Sequence, residues 1–514
     1  MWFDFDMRTH FYRMDSFIFA SRIIKHLFIS QNSNFTAMHF SPAKLFLFIA
    51  ISILGFSACS KNVLPETTEE HVPENRVIYE VFVRNFSPEG NLKGVEKQIP
   101  RLKDLGVDVV WLMPIYELGD TGLWGAYSSP YAIKDYTKID PDNGSEQDLR
   151  DLVKAIHDND MEIWFDWVGN HTSMDNVWVS SHPEFYSRKD GDFVHPFGGA
   201  WKDVYELDRD NEAMQDEMVK AMQYWVDNFD IDGFRCDYAS GPSPELWRKA
   251  SERVLKNGKR VAWLAEDSSK PSLVKNGYFD YNYCWDFQEK VLKKFANDSV
   301  LNIDRLRKAC DLLANSGLTE GESKAPEDTI TDPYAGRSRM VYLVNHDVLQ
   351  DQGGSGDIVY HKYLKPLTVL QFTIYGMPLI YNGQETGYKS GGRVSLAEKT
   401  PIDWSQPDTT MTSLIKTLTH LKHTQPALRT GKQNGRLTNL TTTADETVYA
   451  YKRTLGDNDV VVMLNFGDED KKFSVPSGLP SGNFQNVFTQ ETVEFSPSSS
   501  FSLPALGYAV FVKE

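Results

Sequence analysis

The sequence has few cysteines and few basic residues for its length. Of 514 residues only four are cysteine. Three of them (Cys236, Cys284 and Cys310) follow Cys59 without any paired spacing, so we predict neither a disulfide framework nor a cysteine-based zinc site. Lysine and arginine number 54 against 71 acidic residues, and the formal net charge is −17. This charge argues against nucleic acid and against an anionic membrane surface as partners.

Long apolar runs are also missing. The apolar block at residues 45–55 is shorter than a bilayer-spanning helix, and it lies between Lys44 and the small residues before Cys59. This order is typical of a secretory signal. The cysteine after the small residues resembles a bacterial lipobox, in which Cys59 is lipidated. We therefore expect an upstream segment plus lipoprotein signal peptide at 1–58, a tether at 59–76, and an extracytoplasmic protein anchored to the membrane by lipid. A cleaved signal without lipid is the alternative.

Short apolar strands alternate with amphipathic helices over about 350 residues. The predicted strands are residues 77–83, 107–112, 161–167, 231–237, 260–265, 278–284, 340–344 and 377–381. Repeated βα units imply a parallel sheet, and eight units imply an α/β fold of the (β/α)8 TIM barrel type. The alternative, an open doubly wound sheet, normally carries a glycine-rich phosphate turn after its first strand. The sequence has no such turn.

The pattern of residue types along the sequence changes near residue 430. From there, short β-rich runs alternate with turns rich in glycine, proline, serine and asparagine. We therefore predict a catalytic barrel at 77–430, with a short inserted subdomain at 172–204 after strand 3. A C-terminal antiparallel β-sandwich domain follows at 431–514.

Acidic residues lie at the ends of four predicted strands. They are Asp166, Asp237, Glu266 and Asp347. The catalytic residues of such barrels lie at the carboxyl ends of the strands. Arg235 shares a strand face with Asp237, and a nearby cation lowers the pKa of a carboxyl group. A structural ion pair is the alternative for an isolated Arg-x-Asp.

Four short segments carry a resemblance. The patterns D-x-x-x-N-H from Asp166, G-F-R-x-D ending at Asp237, a glutamate closing the fifth strand, and N-H-D ending at Asp347 occur in this order. They resemble the four signature regions of the alpha-amylase family of retaining glycoside hydrolases (glycoside hydrolase family 13). The resemblance implies that Asp237 is the nucleophile, Glu266 the general acid/base and Asp347 a third acid.

The resemblance also implies further roles. Substrate contacts fall to Tyr131, His171, Arg235 and His346, and structural roles beside the site fall to Asp166 and Asn170. Each histidine taken alone is as well explained by a structural role. Trp124, Trp167, Trp201 and Tyr238 are either packing residues or platforms for further sugars. The chemistry needs no cofactor.

The sequence departs from the family pattern at Ser240 and Gly241, where many members carry Lys-His on the leaving-group side. Calcium is an open alternative, with Asn170 and Glu206 as ligands, because hard oxygen ligands suit that ion. The predicted activity is hydrolysis of α-1,4-glucosidic bonds in starch or maltooligosaccharides. A transglycosylase or α-1,6-glucosidase of the same family is one alternative, and a non-catalytic glucan-binding protein is another.

Overall fold

The computed structural model describes residues 75–122, 125–317, 319 and 337–514. The predicted signal peptide, Cys59 and most of the tether lie outside these residues, as does Trp124. Within the described ranges, no helix is both long enough and apolar enough to cross a membrane. The lipid anchor therefore stays a prediction.

Eight parallel strands close into a barrel, as predicted. We number them β1 (Ile78–Val81), β2 (Val109–Leu112), β3 (Glu162–Val168), β4 (Gly233–Asp237), β5 (Ala262–Ala265), β6 (Tyr281–Tyr283), β7 (Ser338–Val341) and β8 (Met377–Tyr381). Each strand pairs with its sequence neighbours, and Ile78 opposite Leu379 joins β1 to β8. The closed order confirms the barrel and rules out the open sheet. Most observed strands are shorter than predicted, because sequence hydrophobicity continues into the buried loops at their ends.

Helices alternate with the strands around the barrel. The longer ones are α1 (Ile99–Leu105), α2 (Glu146–Asp158), α3 (Glu212–Phe229), α4 (Pro244–Arg253), α5 (Ile303–Ser316), α6 (Leu364–Thr373) and α7 (Thr409–Thr424). A capping box formed by Ser145 and Asp148 is present at the start of α2. A short helix, Leu92–Glu96, precedes α1. Pro100 lies in the first turn of α1, where its missing N–H is tolerated, and Gly106 ends the helix with a φ of 93°.

The segment after β3 forms a small excursion from the barrel. Its first strand, His171–Ser173, pairs antiparallel with Val204–Glu206, and a hairpin of Arg188–Lys189 with Asp192–Phe193 lies between them. The pairing places Glu206 opposite His171. The inserted segment is therefore tied at both ends to the carboxyl end of β3.

The C-terminal domain is built from two antiparallel sheets. Its strands are β9 (Arg436–Leu440), β10 (Val448–Leu455), β11 (Asn458–Asn465), β12 (Lys471–Ser474), β13 (Gly482–Asn486), β14 (Thr492–Phe495), β15 (Ser500–Leu503) and β16 (Tyr508–Lys513). Six strands follow the order β9-β10-β11-β16-β13-β14, and β12 pairs with β15. Phe501 of the small sheet packs 5.3 Å from Phe495 and 5.9 Å from Phe511, ring centre to ring centre. Apolar contact between the two sheets forms the core of this domain.

Candidate active site

Arg235 on β4 brings three carboxyl groups together. Its Nη1 donates to Oδ1 of Asp166 at 2.7 Å and to Oδ1 of Asp237 at 3.2 Å. Its Nη2 lies 2.8 Å from Oε2 of Glu266 as an ion pair, and its Nε donates to the hydroxyl of Tyr283 at 3.1 Å. The guanidinium is fully buried. A buried cation of this kind is stable only when surrounded by acceptors and opposite charge.

The register of the parallel sheet determines where these carboxyl groups lie. Arg235 pairs with Asp166 on β3 and with Leu264 on β5, so the ends of the three strands are level. Asp237 is two residues further along β4 on the same face, and Glu266 follows the last residue of β5. The backbone N–H of Tyr238 donates to Oε2 of Glu266 at 2.8 Å. Three neighbouring strands thus aim their acids into one cleft.

The N-H-D segment is placed differently from the prediction. It does not end β7; Asn345 caps a short helix, His346–Asp351, that begins after a loop, and its side chain accepts from the N–H of Val348. Asp347 is in the first turn of that helix, and its side chain is 31% exposed. It is thus the most open of the four signature acids.

Glu266 and Asp237 both have raised pKa values, and burial is the largest cause of each rise. Burial raises the pKa of Glu266 to about 8, because the attraction of Arg235 does not offset burial together with the charges of Asp237 and Asp347. The pKa of Asp237 rises to about 6 for the same first reason, with Arg235 opposing the rise. Arg235 lowers the pKa of Asp237, as predicted, but burial together with the charges of Asp166 and Asp347 outweighs it, so the net pKa lies above its usual range. Near neutral pH, Glu266 holds a proton while Asp237 has mostly lost its own.

A second chain of polar groups runs across the barrel from β1. Nδ1 of His346 lies 2.5 Å from Oε1 of Glu80, and its Nε2 lies 2.8 Å from the hydroxyl of Tyr131. That hydroxyl donates to Oδ2 of Asp166 at 3.2 Å. The Tyr131 and His346 rings also stack, with centres 5.5 Å apart. Through Asp166, this chain reaches Arg235.

The chain matches two protein-family models. A family model described as the alpha amylase catalytic domain matches residues 61–433, and the alpha amylase C-terminal all-beta domain matches residues 441–512. The chain belongs to the alpha-amylase family. It is a glycoside hydrolase.

Individual relatives agree on the family and differ in activity. An alpha-amylase of Haloarcula japonica is 27% identical over 437 residues, which cover 80% of this chain and 59% of that protein. A cyclomaltodextrinase of Thermoanaerobacter pseudethanolicus is 25% identical over 73% of this chain and 63% of its own length. The crystal structure of a maltogenic alpha-amylase from Thermotoga neapolitana superposes with a TM-score of 0.71 at 26% identity, covering 85% of this chain and 98% of that one. Other relatives are named 4-alpha-glucanotransferase and probable oligo-1,6-glucosidase.

His171 and an aromatic cluster line the side of this alpha-amylase-family site nearest the inserted segment. Burial lowers the pKa of His171 to about 4, so its imidazole is neutral near pH 7. Its ring meets Trp201 edge-on at 5.3 Å. Phe197 lies 4.4 Å from Trp201 and 5.1 Å from Tyr238, ring centre to ring centre, and is 49% exposed. Trp167, in contrast, is fully buried against Tyr116 and Tyr136 and is a packing residue.

At Gly241, the departure from the family's Lys-His pattern has a steric explanation. A β-carbon at position 241 would lie 2.4 Å from the Tyr238 ring and 2.6 Å from Oδ1 of Asn170, so only glycine fits beside those two residues. The ammonium group of Lys270 donates to the backbone oxygen of Ser240 at 2.6 Å. A lysine from the loop after β5 therefore brings a cation to this part of the cleft.

The residues predicted for calcium fit that ion only in part. No described residue donates to the buried Oδ1 of Asn170, which leaves one amide oxygen available. Glu206, the predicted carboxylate ligand, already lies 3.6 Å from Nη2 of Arg209. Among the described residues, no group of three histidine, cysteine or acidic side chains is arranged to hold a metal. Calcium normally takes six to eight oxygens, several of them from carboxylates. A calcium site at Asn170 and Glu206 therefore stays a prediction.

Sequence reasoning missed three residues of the site. Glu80, Phe197 and Tyr283 belong to no signature segment. Glu80 did leave a signal, because a glutamate inside an apolar strand of four residues is rarely buried without a partner. The other two gave none, since an aromatic side chain is ordinary in a buried strand or a loop.

Proposed function

We propose that this protein is a retaining α-glucan hydrolase that cleaves α-1,4-glucosidic bonds of starch or maltooligosaccharides by double displacement. Asp237 is the nucleophile, Glu266 the general acid/base and Asp347 a third acid that holds sugar hydroxyls. Tyr131, His171 and His346 contact the sugar at the cleaved bond, and Arg235 orients Asp237. Asp166 and Asn170 have structural roles beside them.

The observation that carries this proposal is the shared guanidinium. Because Asp237 and Glu266 both contact Arg235, at 3.2 Å and 2.8 Å, their carboxyl groups lie side by side. Retaining enzymes need the two groups about 5–5.5 Å apart, whereas inverting enzymes leave room for a water molecule between them. The shared guanidinium holds both acids in one cluster, as double displacement requires.

The two protonation states suit the two steps. In the first, the Asp237 carboxylate attacks the anomeric carbon while Glu266 gives its proton to the glycosidic oxygen, so that the carbon–oxygen bond breaks and a glycosyl ester forms on Asp237. In the second, Glu266 takes a proton from water, the water oxygen attacks the anomeric carbon, and the ester bond breaks with net retention. The pKa difference, about 8 for Glu266 against about 6 for Asp237, supports this assignment.

The leaving-group side keeps one alternative open. Transglycosylation and α-1,6 cleavage depend on how an acceptor sugar is held beyond the cleaved bond. Here that region has Ser240 and Gly241 with Lys270 nearby, and relatives of the family are named for both activities. The aromatic cluster of Phe197, Trp201 and Tyr238 offers flat faces for sugar rings in the same region.

The test follows products from maltoheptaose over time by chromatography, with Asp237→Asn as the control. A spread of shorter maltooligosaccharides with α-anomeric products, absent in the control, is the expected result. Products longer than the substrate would assign a transglycosylase. If the wild type turns over only α-1,6-linked substrates, or none, then the α-1,4 assignment is wrong.

A further inference from the structure

Glu80 is a buried carboxylate in an apolar strand. It is the third residue of β1, in Ile-Tyr-Glu-Val, and is fully inaccessible to solvent. Its Oε1 lies 2.5 Å from Nδ1 of His346, and no described residue donates a hydrogen bond to its Oε2. A buried carboxylate with so few partners costs free energy, and the imidazole is the group positioned to offset that cost.

Hydrogen-bond accounting assigns both ring protons of His346. The hydroxyl of Tyr131 donates a hydrogen bond to Asp166. The Tyr131 oxygen can therefore only accept a hydrogen bond from Nε2 of His346. Nε2 also lies 3.4 Å from Oδ1 of Asp347, another acceptor. Nδ1 faces the Glu80 carboxylate. A neutral imidazole has one N–H only, whereas both nitrogens of His346 face acceptors.

We propose that Glu80 is a positioning residue that holds His346 as a doubly protonated imidazolium, and that this fixed cation keeps Tyr131 and Asp166 in place and favours the ionised form of Asp237. This inference rests on the role of nucleophile proposed above for Asp237 and is independent of which glucan is cleaved. It concerns a residue outside the four signature segments.

Among the described charged groups that act on His346, all except Arg235 favour the cation. Glu80 on β1 and Asp347 on the same short helix contact it directly, while Asp166, Asp237 and Arg235 act from β3 and β4 at longer range. Only Arg235 opposes a positive charge. Burial lowers the pKa of His346, but the charges of Asp347 and Glu80 raise it by more than burial lowers it. The pKa of His346 therefore reaches about 10.

The cation has a consequence for the reaction. The charge of His346 lowers the pKa of Asp237 and so counteracts burial and the charges of Asp166 and Asp347. A neutral His346 would leave more of Asp237 protonated near pH 6 and would free Tyr131 to turn its hydroxyl away from Asp166. Both changes reduce the fraction of enzyme that is ready to attack.

The first experiment needs no substrate. Protein labelled with ¹³C at histidine Cε1 is titrated by NMR from pH 5.5 to 8.5, and the His346 signal is assigned by its loss in His346→Asn. We expect an imidazolium signal that does not move across this range. A neutral ring at pH 7.5 in the wild type would overturn the proposal, whatever the activity of the protein.

The second experiment removes the charge of Glu80. Glu80→Gln keeps an acceptor for Nδ1, and we expect His346 to titrate within the range. If its pKa falls to about 6.5, the protonated fraction drops about 25-fold between pH 6 and pH 8, and kcat/KM should show that added loss. Glu80→Asp should restore part of the wild-type profile. Glu385→Gln is the matched control, because Glu385 is an equally buried carboxylate that pairs with Tyr79 and Arg101 instead. An unchanged His346 signal in Glu80→Gln would contradict the proposal, and the wild-type titration decides alone if that variant does not fold.

Discussion

Arg235 illustrates how one side chain sets the chemistry of several others. Three carboxyl groups share its charge, so none receives the full stabilisation of a dedicated ion pair. Burial then dominates, and the pKa values of Asp237 and Glu266 rise to about 6 and about 8; each acid faces two other anions, and at Asp237 the charge of His346 also opposes the rise. Separation of two carboxyl pKa values by environment is the pattern that assigns base and acid roles.

The first prediction at this scale concerns pH. We expect kcat/KM for maltoheptaose to rise as Asp237 loses its proton near pH 6 and to fall as Glu266 loses its proton near pH 8. A substrate with fluoride as leaving group needs less help from the acid, so its alkaline fall should be weaker. An equal alkaline fall with both substrates would remove Glu266 from the role of proton donor.

The second prediction concerns Phe197. Its ring is half exposed beside Trp201 and Tyr238, and its backbone has a φ of 52°. A non-glycine residue is held in that region only at some cost, which suggests a use for the exposed ring. We expect Phe197→Ala to raise KM for maltoheptaose by about 2- to 12-fold, the equivalent of about 0.5–1.5 kcal/mol for one aromatic contact. Val300→Ala, at a more exposed apolar residue, is the control and should leave KM unchanged. No change in Phe197→Ala would make the cluster a packing feature.

At the scale of elements, a charged cluster joins α2 to the start of β4. Nε2 of His157 lies 2.8 Å from Oδ2 of Asp232, which also accepts from the backbone N–H of Ile163 on β3. Lys256 adds a cation 2.6 Å from Oδ1 of Asp232. The cluster therefore connects a helix end to two strands at the end of the barrel away from the site.

This cluster predicts a pH dependence of stability. The hydrogen bond to Asp232 raises the pKa of His157 in the folded state above its unfolded value, with burial opposing. The stabilisation is then complete below about pH 6.5, the unperturbed value, and is lost as pH rises through the folded pKa. Thermal unfolding of the wild type and His157→Asn should differ most near pH 6 and converge at alkaline pH. A difference that grows with pH would show that the sign is wrong.

At the scale of the whole molecule, Arg453 on β10 ties the C-terminal domain to the barrel. Its side chain is fully buried and donates to the backbone oxygens of Thr373 at the end of α6, Gly435 and Arg429, and to Oδ1 of Asn434. Phe466 of the C-terminal domain packs 4.8 Å from Phe295 of the barrel, ring centre to ring centre. Polar and apolar contacts together thus connect the two parts.

The prediction at this scale is a loss of stability. Arg453→Met removes four hydrogen bonds and leaves buried acceptors without donors, which we expect to lower the free energy of unfolding by about 3 kcal/mol. Chemical denaturation measures the change, and Arg436→Met at an exposed position on β9 is the control. If the barrel unfolds at the same denaturant concentration in wild type and Arg453→Met, the two parts are not coupled through this residue.

Much of this protein follows from its sequence alone. The alternation of short apolar runs with helical segments of period 3.6 predicted the barrel, because repeated βα units build a parallel sheet. The capping box fixed the start of α2, and the acids at the strand ends marked the cleft. These are local features, and local spacing is sufficient to predict them.

Tertiary structure decided the rest, because it depends on groups far apart in the chain. Glu80 meets His346 across 266 residues, and no local pattern joins β1 to the helix after β7. The pKa of Asp237 rises rather than falls because the degree of burial and the sharing of Arg235 are properties of the closed barrel. The glycine at position 241 is required by the Tyr238 ring and Asn170, which meet only once β3 and β4 are paired. The sequence identifies the acids, whereas tertiary packing determines their protonation states.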